Sequence, residues 1–140
     1  MTGYQPPVRP HPATGAWMPG DHSGSRRFLT IPADRPIALE GGVMLRGVTV
    51  AYETWGTLNA AADNAVLLCH AWTGDSHASG NAEDGHPTPG WWEDVVGPGL
   101  AIDTDRWFVV CPNVLGGCQG STGPASSQDR KSTRLNSSHT

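Results

Sequence analysis

Short apolar runs that alternate with glycine-rich polar loops are the main pattern in the middle of this chain. Two of the runs, Ala65–Cys69 and Trp107–Cys111, are apolar at every position. Such a run is typical of a strand that is buried on both faces in a parallel sheet. Between the two runs, Trp91–Val96 predicts a short helix that Gly97-Pro98-Gly99 stops. Strand, crossover and strand together predict a right-handed βαβ unit, because nearly all such crossovers have that hand.

Three further strand-like segments precede this unit. They are Phe28–Ile31, Ile37–Leu39 and Val48–Glu53, and Gly41-Gly42 supplies a turn between the second and the third. We therefore expect an antiparallel meander at the edge of a sheet, leading into parallel central strands. Because ligands bind beyond the carboxyl ends of such strands, function should collect in the two glycine-rich loops that begin there.

The two ends of the chain differ in composition from this middle part. Residues 1–27 are rich in Pro, Gly, His and Ser and show no apolar period, which predicts a flexible leader. Residues 28–129 form the predicted partial domain. The tail 130–140, RKSTRLNSSHT, resembles a translated sequencing adaptor and is predicted to be non-native, with a natural flexible terminus as the alternative.

Charge, hydropathy and cysteine count exclude several classes of protein. The net charge is −4 without a basic patch, which argues against nucleic acid as a partner, and no apolar run approaches the ~20 residues of a membrane span. The first residues lack the order of a secretory signal, so we expect a cytoplasmic protein. The three cysteines lack the spacing of a disulfide framework or zinc site, and Cys69 and Cys111 are expected to be buried, reduced thiols.

Three motifs resemble one enzyme family. Gly90–Gly99 (GWWEDVVGPG), Ile102–Arg106 and Asn113–Cys118 (NVLGGC) are similar to the N-terminal half of homoserine O-acetyltransferases, within a resemblance that runs from about Leu39 to Ser127. It implies the N-terminal, incomplete part of an α/β-hydrolase fold. It also implies an enzyme of methionine biosynthesis that transfers acetyl from acetyl-CoA to L-homoserine. Both are small-molecule substrates of a parent expected to be a homodimer without a bound cofactor.

The nucleophile of that fold is missing from the sequence. An α/β-hydrolase places its serine in a Gly-x-Ser-x-Gly elbow, followed along the chain by an acid and a histidine. No such elbow occurs, and Gly120-Ser121-Thr122-Gly123 has the wrong spacing. We therefore expect a fragment that ends before the elbow and is inactive by itself.

The resemblance implies roles for residues in both glycine-rich loops. His70–Gly74 stands where this fold donates one backbone N–H to the oxyanion hole, and the implied donor is Trp72, where the family commonly has Leu. Thr73 in the same loop is a candidate for substrate binding. The further candidates lie in the loop after the second central strand: Asn113, Gly116 and Gly117. That loop lacks the lysine of a phosphate-binding loop, and a purely structural role remains the alternative for each residue.

Several alternatives stay open beside this interpretation. His70, His77, His86, Asp75 and Asp84 could bind a metal, but their spacing lacks the short pairs of zinc sites, so no metal is expected. For His70 we expect a ring that is satisfied by backbone at a strand end. For function, the alternatives are a succinyl-CoA-using or serine-directed enzyme of the same family, an esterase of the same fold, and a small binding module.

Overall fold

The computed structural model describes residues 15–124 and residue 126. The described residues contain eight strands and no helix. The strands are β1 (Arg27–Thr30), β2 (Ile37–Ala38), β3 (Met44–Leu45), β4 (Thr49–Trp55), β5 (Ala65–Leu67), β6 (Val96–Gly97), β7 (Ile102–Asp103) and β8 (Phe108–Pro112). Nothing in this part of the chain is a helix that could cross a membrane. The predicted tail 130–140 and the first fourteen residues of the predicted leader lie outside the described residues.

A four-stranded sheet in the order β1-β4-β8-β5 organises the chain. β4 pairs antiparallel with β1 and β8, whereas β5 pairs parallel with β8, with Val66 opposite Val109. The buried apolar core is centred on β8, which like β4 has a neighbour on each side. Its members are Leu68, Ala78, Val96, Val109 and Cys111.

The predicted parallel pair is confirmed, but the burial predicted for its first strand is wrong. Leu67 is 65% exposed and Cys69 is exposed. The reason is that Ala65, Leu67 and Cys69 share one face of the strand, and no helix of the described residues covers that face. In β8, by contrast, Cys111 is fully buried, as expected, and burial raises the pKa of its thiol to about 12.

The predicted edge meander is only partly present. β1 pairs with β4 as expected, but β2 pairs with β3 in a separate two-stranded hairpin. Gly42, with φ of +83°, makes the turn of that hairpin and allows Leu39 N–H to donate to the Val43 carbonyl. The glycine pair therefore joins β2 to a strand that the sequence pattern did not reveal.

The helix predicted near Trp91–Val96 is also wrong. Only one turn forms, in which the N–H groups of Val95 and Val96 both donate to the Trp92 carbonyl, and Val96 then enters β6, which pairs with β7. Pro98 disfavours a helical conformation at the residue before it, so the turn cannot extend. Trp91 and Trp92, at the start of this segment, are 37% and 44% exposed.

Candidate functional site

Two loops leave the same edge of the sheet, because β5 and β8 run parallel. We call His70–Ser76 the first loop and Asn113–Gly123 the second loop. The imidazole of His70 joins them: its Nε2 accepts from Val114 N–H at 3.0 Å, and its Nδ1 lies 2.7 Å from the Ala71 carbonyl. Nδ1 must therefore carry the proton and Nε2 must accept, which makes this ring neutral. The expectation that backbone groups satisfy His70 is confirmed.

The tip of the first loop presents unused backbone donors. Gly74 N–H donates to the Ala71 carbonyl at 2.8 Å and closes a tight turn. Within the described residues, neither Trp72 N–H nor Thr73 N–H makes a hydrogen bond. The Trp72 side chain is 100% exposed, so its indole contributes no wall to a pocket in this part of the chain. The N–H groups of His70 and Ala71 also make no hydrogen bond there, so the loop offers four free N–H groups in succession, of which those of Trp72 and Thr73 lie at the tip.

The N–H groups of the two candidate glycines in the second loop are used internally. Gly116 N–H donates to the Thr122 carbonyl at 2.9 Å, and Gly117 N–H donates to the Val114 carbonyl at 3.0 Å. The loop is also closely packed, because a Cβ on Gly123 would lie 2.4 Å from the Gly117 carbonyl oxygen. The amides of Gly116 and Gly117 are therefore occupied by the fold of the loop itself.

Asn113 lies beneath the two loops and is only 3% exposed. Its Oδ1 accepts from Ser76 N–H at 2.7 Å, while its Nδ2 donates to Ser76 Oγ at 3.0 Å and to the Gln119 carbonyl at 2.7 Å. Both amide hydrogens are used in this way. The side chain thus ties the base of the first loop to the start of the second.

A buried carboxylate, which the sequence analysis missed, lies next to this amide. Glu53 is 1% exposed in the middle of β4, where its Oε2 accepts from Ser76 Oγ at 2.7 Å and its Oε1 lies 2.9 Å from His77 Nδ1. The two-residue period of a strand could have identified Glu53, because it places Glu53 on the same face as Ala51, and that face is buried.

His77 faces hydrogen-bond acceptors with both ring nitrogens. Nδ1 faces the Glu53 carboxylate at 2.9 Å and Nε2 faces the Asn81 carbonyl at 3.0 Å. Neither partner can donate, so both nitrogens carry hydrogen and the ring is an imidazolium. Burial alone would lower the pKa of His77, but the hydrogen bond and charge of Glu53 outweigh burial and raise the pKa above its ordinary value.

His86 lies face to face with this ring. The centroids of His77 and His86 are 3.9 Å apart and the planes differ by 9°. His86 Nε2 lies 3.5 Å from Glu53 Oε2 and has no hydrogen-bond partner among the described residues. Burial lowers the pKa of His86, and the positive charges of Arg26 and His77 lower it further against the opposing charge of Glu53. His86 is therefore the neutral member of the pair.

The structure brings together two of the five residues weighed as metal ligands, His77 and His86, and adds Glu53. His70 bonds to backbone instead, and Asp75 Oδ1 accepts from His77 N–H at 2.8 Å. Because the two rings are stacked nearly parallel, their in-plane lone pairs cannot converge on one ion. The absence of a metal remains a prediction, and this geometry favours it.

The same cluster does not form a catalytic triad. Ser76 Oγ donates to Glu53, whereas a triad serine is hydrogen-bonded to the imidazole that takes its proton. Ser76 is also completely buried. The cluster is therefore framework, and no nucleophile is assigned within it.

A cavity of about 270 Å³ opens on the other side of the second loop, between that loop and β1. Its walls include Trp17 and Phe28, whose rings are 5.2 Å apart, together with Gly117 and the exposed Cys118. Of the predicted site residues only Gly117 lines it. The free N–H groups of the first loop are not part of this cavity.

Comparison with known proteins places these loops in context. No family model matches the chain. The homoserine O-acetyltransferase of Thermobifida fusca (strain YX) is 62% identical over 117 residues, which make up 84% of this chain and 30% of that protein. Among solved structures, esterase E22 superposes with a TM-score of 0.66 at 35% identity, over 76% of this chain and 30% of that chain.

A second solved structure, homoserine O-acetyltransferase from Bacillus anthracis, superposes with a TM-score of 0.55 at 35% identity, over 63% of this chain and 22% of that chain. The chain thus spans about 30% of the length of the curated relatives it matches.

Proposed function

Because the chain belongs to the homoserine O-acetyltransferase family, we propose that the whole protein transfers an acetyl group from acetyl-CoA to the hydroxyl of L-homoserine. The predicted fold class is confirmed, since the structural relatives have the α/β-hydrolase fold and share this mixed sheet. The observation that carries a role for this chain is the turn at Trp72. It presents a free backbone N–H at the carboxyl end of a parallel strand.

The proposed reaction has two half-steps. A serine outside these 140 residues attacks the thioester carbonyl, so that a C–O bond forms, the C–S bond breaks and CoA leaves as the protonated thiol. The homoserine hydroxyl then attacks the acetyl-serine ester, which releases O-acetyl-L-homoserine and restores the serine hydroxyl. A histidine, oriented by an acid, takes and returns the proton in each half-step. Both partner groups are also expected outside these residues.

Each half-step places negative charge on the carbonyl oxygen, and the first loop supplies a donor for it. Trp72 N–H is fixed in direction before the reaction and has no competing acceptor among the described residues. A donor of this kind typically contributes ~2.7–4 kcal/mol of transition-state stabilisation. We assign Thr73 to the adjoining substrate surface.

For the second loop we propose a shaping role. The amides of Gly116 and Gly117 are already bonded, so these residues would contact substrate through their surface rather than donate to it. Asn113 acts from below, through Ser76. We further propose a cytoplasmic, homodimeric enzyme whose only coenzyme is the co-substrate acetyl-CoA.

A chimera tests this function. The 117 matched residues of this chain replace their counterpart in the Thermobifida fusca protein, which gives what we call the completed enzyme. We expect CoA release that depends on both acetyl-CoA and L-homoserine, at a kcat within about tenfold of the unaltered relative, ~1.4 kcal/mol. The isolated 140-residue chain should show no release above background.

Three substrate controls separate the alternatives. Succinyl-CoA in place of acetyl-CoA and L-serine in place of L-homoserine test the two family variants. Hydrolysis of an acetyl ester without an amino-acid acceptor tests the esterase alternative, which the likeness to esterase E22 makes worth measuring. A completed enzyme that folds, hydrolyses the ester and transfers nothing to L-homoserine would contradict the proposal.

A further inference from the structure

Three polar residues hold the base of the first loop, and the acyl-transfer steps do not use them. Glu53, Ser76 and His77, which we call the anchor, are at most 4% exposed. Burying a charged group without a partner is costly, and a buried ion pair persists only when further hydrogen bonds satisfy its remaining atoms. The anchor meets that condition at both carboxylate oxygens of Glu53 and both ring nitrogens of His77.

We propose that the anchor positions the first loop for catalysis: the Glu53 carboxylate and the His77 imidazolium form a buried ion pair that fixes the backbone leading to Trp72. The proposal rests on the function proposed above and makes Glu53, Ser76 and His77 positioning residues of the oxyanion donor.

The hydrogen bonds of the first loop show how the anchor would act. At its start, the ring of His70 is held by Val114 N–H. At its end, Ser76 is held through its N–H by Asn113 and through its hydroxyl by Glu53. Between these ends, Trp72 and Thr73 make no hydrogen bond among the described residues. A short turn with both ends fixed keeps the direction of its N–H groups, as an electrostatic donor requires.

His86 completes the arrangement by covering the ion pair. Its ring lies flat against that of His77 and within 3.5 Å of Glu53 Oε2. The backbone around it is tightly fitted, since a Cβ on Gly24 would lie 2.6 Å from His86 Cδ2. The neutral ring excludes water from the ion pair, and a low local dielectric strengthens the attraction between the two charges.

Charge-neutralising variants of the completed enzyme test the positioning role. Glu53→Gln keeps the shape of the side chain and removes its charge. We expect kcat per active site to fall about 10- to 100-fold, as for a small misplacement of a catalytic group, with KM for acetyl-CoA changed less than about twofold. Glu40→Gln is the matched control, because Glu40 is exposed and its side chain makes no hydrogen bond among the described residues. It should leave both constants unchanged.

Titration of active sites by the acyl-enzyme burst separates positioning from folding. If Glu53→Gln lowers the number of active sites but leaves kcat per site unchanged, the residue is structural only and the proposal is overturned. Should this variant not fold, Ser76→Ala removes one hydroxyl from the same carboxylate. It should then lower kcat per site with KM retained, and an unchanged kcat would equally overturn the proposal.

The ion pair has its own readout, independent of activity. In ¹⁵N-histidine-labelled completed enzyme, the His77 signal, identified by its loss in His77→Gln, should lose its second ring proton at a higher pH than a free imidazole, whose pKa is about 6.5. A ring that is already mostly neutral at about pH 6.5 would overturn the ion pair. If the unaltered completed enzyme transfers no acetyl group, the proposed function fails, and the nitrogen signals still decide the ion pair.

Discussion

The first and second loops leave the same edge of the sheet and are both rich in small and polar residues, yet they use their backbone differently. In the first loop, Trp72 N–H and Thr73 N–H have no acceptor among the described residues. In the second, Gly116 N–H and Gly117 N–H donate to carbonyl oxygens of the same loop. Other N–H groups of the second loop, those of Leu115 and of residues 118–121, also have no acceptor among the described residues. The contrast therefore concerns the candidate site residues: the N–H groups of Gly116 and Gly117 close their loop, whereas those of Trp72 and Thr73 stay open.

Both loops are attached to the fold through charged groups, but in different ways. The second loop is held by the buried Arg26, whose Nε and Nη2 donate to the carbonyl and the Oε1 of Gln119 at 3.1 and 2.8 Å. Ser121 Oγ also donates to the Asn113 carbonyl at 2.7 Å. The first loop is attached through the charged pair of Glu53 and His77. A free tip over a charged, buried base suits a loop whose N–H direction matters.

The largest expected effect concerns the donor itself. Replacing Trp72 with Pro in the completed enzyme removes the N–H and should lower kcat at least ~10²-fold. Replacing it with Leu keeps the donor, so kcat should stay within about tenfold, ~1.4 kcal/mol. Steady-state CoA release measures both.

Because Pro also perturbs the turn, Trp72→Pro must retain its melting temperature and its KM for acetyl-CoA. A Leu variant as inactive as a well-folded Pro variant would make the indole catalytic. The assignment of Trp72 N–H as the oxyanion donor would then be wrong.

The second prediction concerns the closure of the second loop. Gly123→Ala would drive a Cβ against the Gly117 carbonyl and should destabilise the completed enzyme by about 3 kcal/mol. At Gly116 nothing lies within 4 Å of an added Cβ. Gly116→Ala should therefore lose only about 1 kcal/mol of stability, because its φ is +87°. Denaturant unfolding compares the two variants. Equal losses of stability in the two variants would show that the chain at Gly123 is not tightly packed against the Gly117 carbonyl.

The third prediction is a pH dependence from the anchor. The pKa of His77 is raised from 6.5, so its proton stabilises the folded state fully below pH 6.5, and this contribution is lost as pH rises through the raised pKa. The pKa of His86 is lowered from 6.5, so stability also falls as pH drops below 6.5. The groups that face the two rings are Glu53, Asp75, Glu83, Arg26 and the Asn81 carbonyl.

Melting temperatures of the completed enzyme from about pH 6 to about pH 9 test this dependence. Glu53→Gln should flatten the decline on the alkaline side, because the charge that holds the proton on His77 is gone. Glu40→Gln, at an exposed carboxylate outside the cluster, should keep the decline. Parallel curves for the unaltered enzyme and Glu53→Gln would contradict a charged base under the first loop.

The smallest expected effect concerns the indole of Trp91, whose Nε1–H donates to the Asp75 carbonyl at 2.9 Å. Trp91→Phe keeps an aromatic ring on the half-exposed surface and should cost about 1 kcal/mol of stability through the lost hydrogen bond. Thermal unfolding gives the cost, and kcat per active site should be unchanged. A loss of kcat here would mean that the anchor is not the main support of the first loop.

The strands of the sheet were the most predictable part of the fold. The runs at Ala65–Cys69 and Trp107–Cys111 predicted a parallel pair, and β5 and β8 form it. The same reasoning failed at Trp91–Val96, where an apolar segment of helical length forms a single turn and a strand. A short apolar run fits either structure by periodicity, and here the partner strand β7 decided.

For the site, the sequence by itself determined the two loops and their shared edge, because strand period and glycine-rich breaks are local properties of the chain. It also pointed to the family through motifs that are contiguous. Only the tertiary structure showed which N–H groups are free, and that Asn113 faces Ser76 rather than the surface.

The anchor, too, was decided by tertiary structure alone. Glu53 and His77 are 24 positions apart, and nothing in their local sequence requires a charged pair. Their charges exist because folding buries a carboxylate, an imidazole and a backbone carbonyl together, where each acceptor needs a proton and only His77 can supply two. Protonation states follow from such contacts between distant residues, and a linear pattern does not contain them.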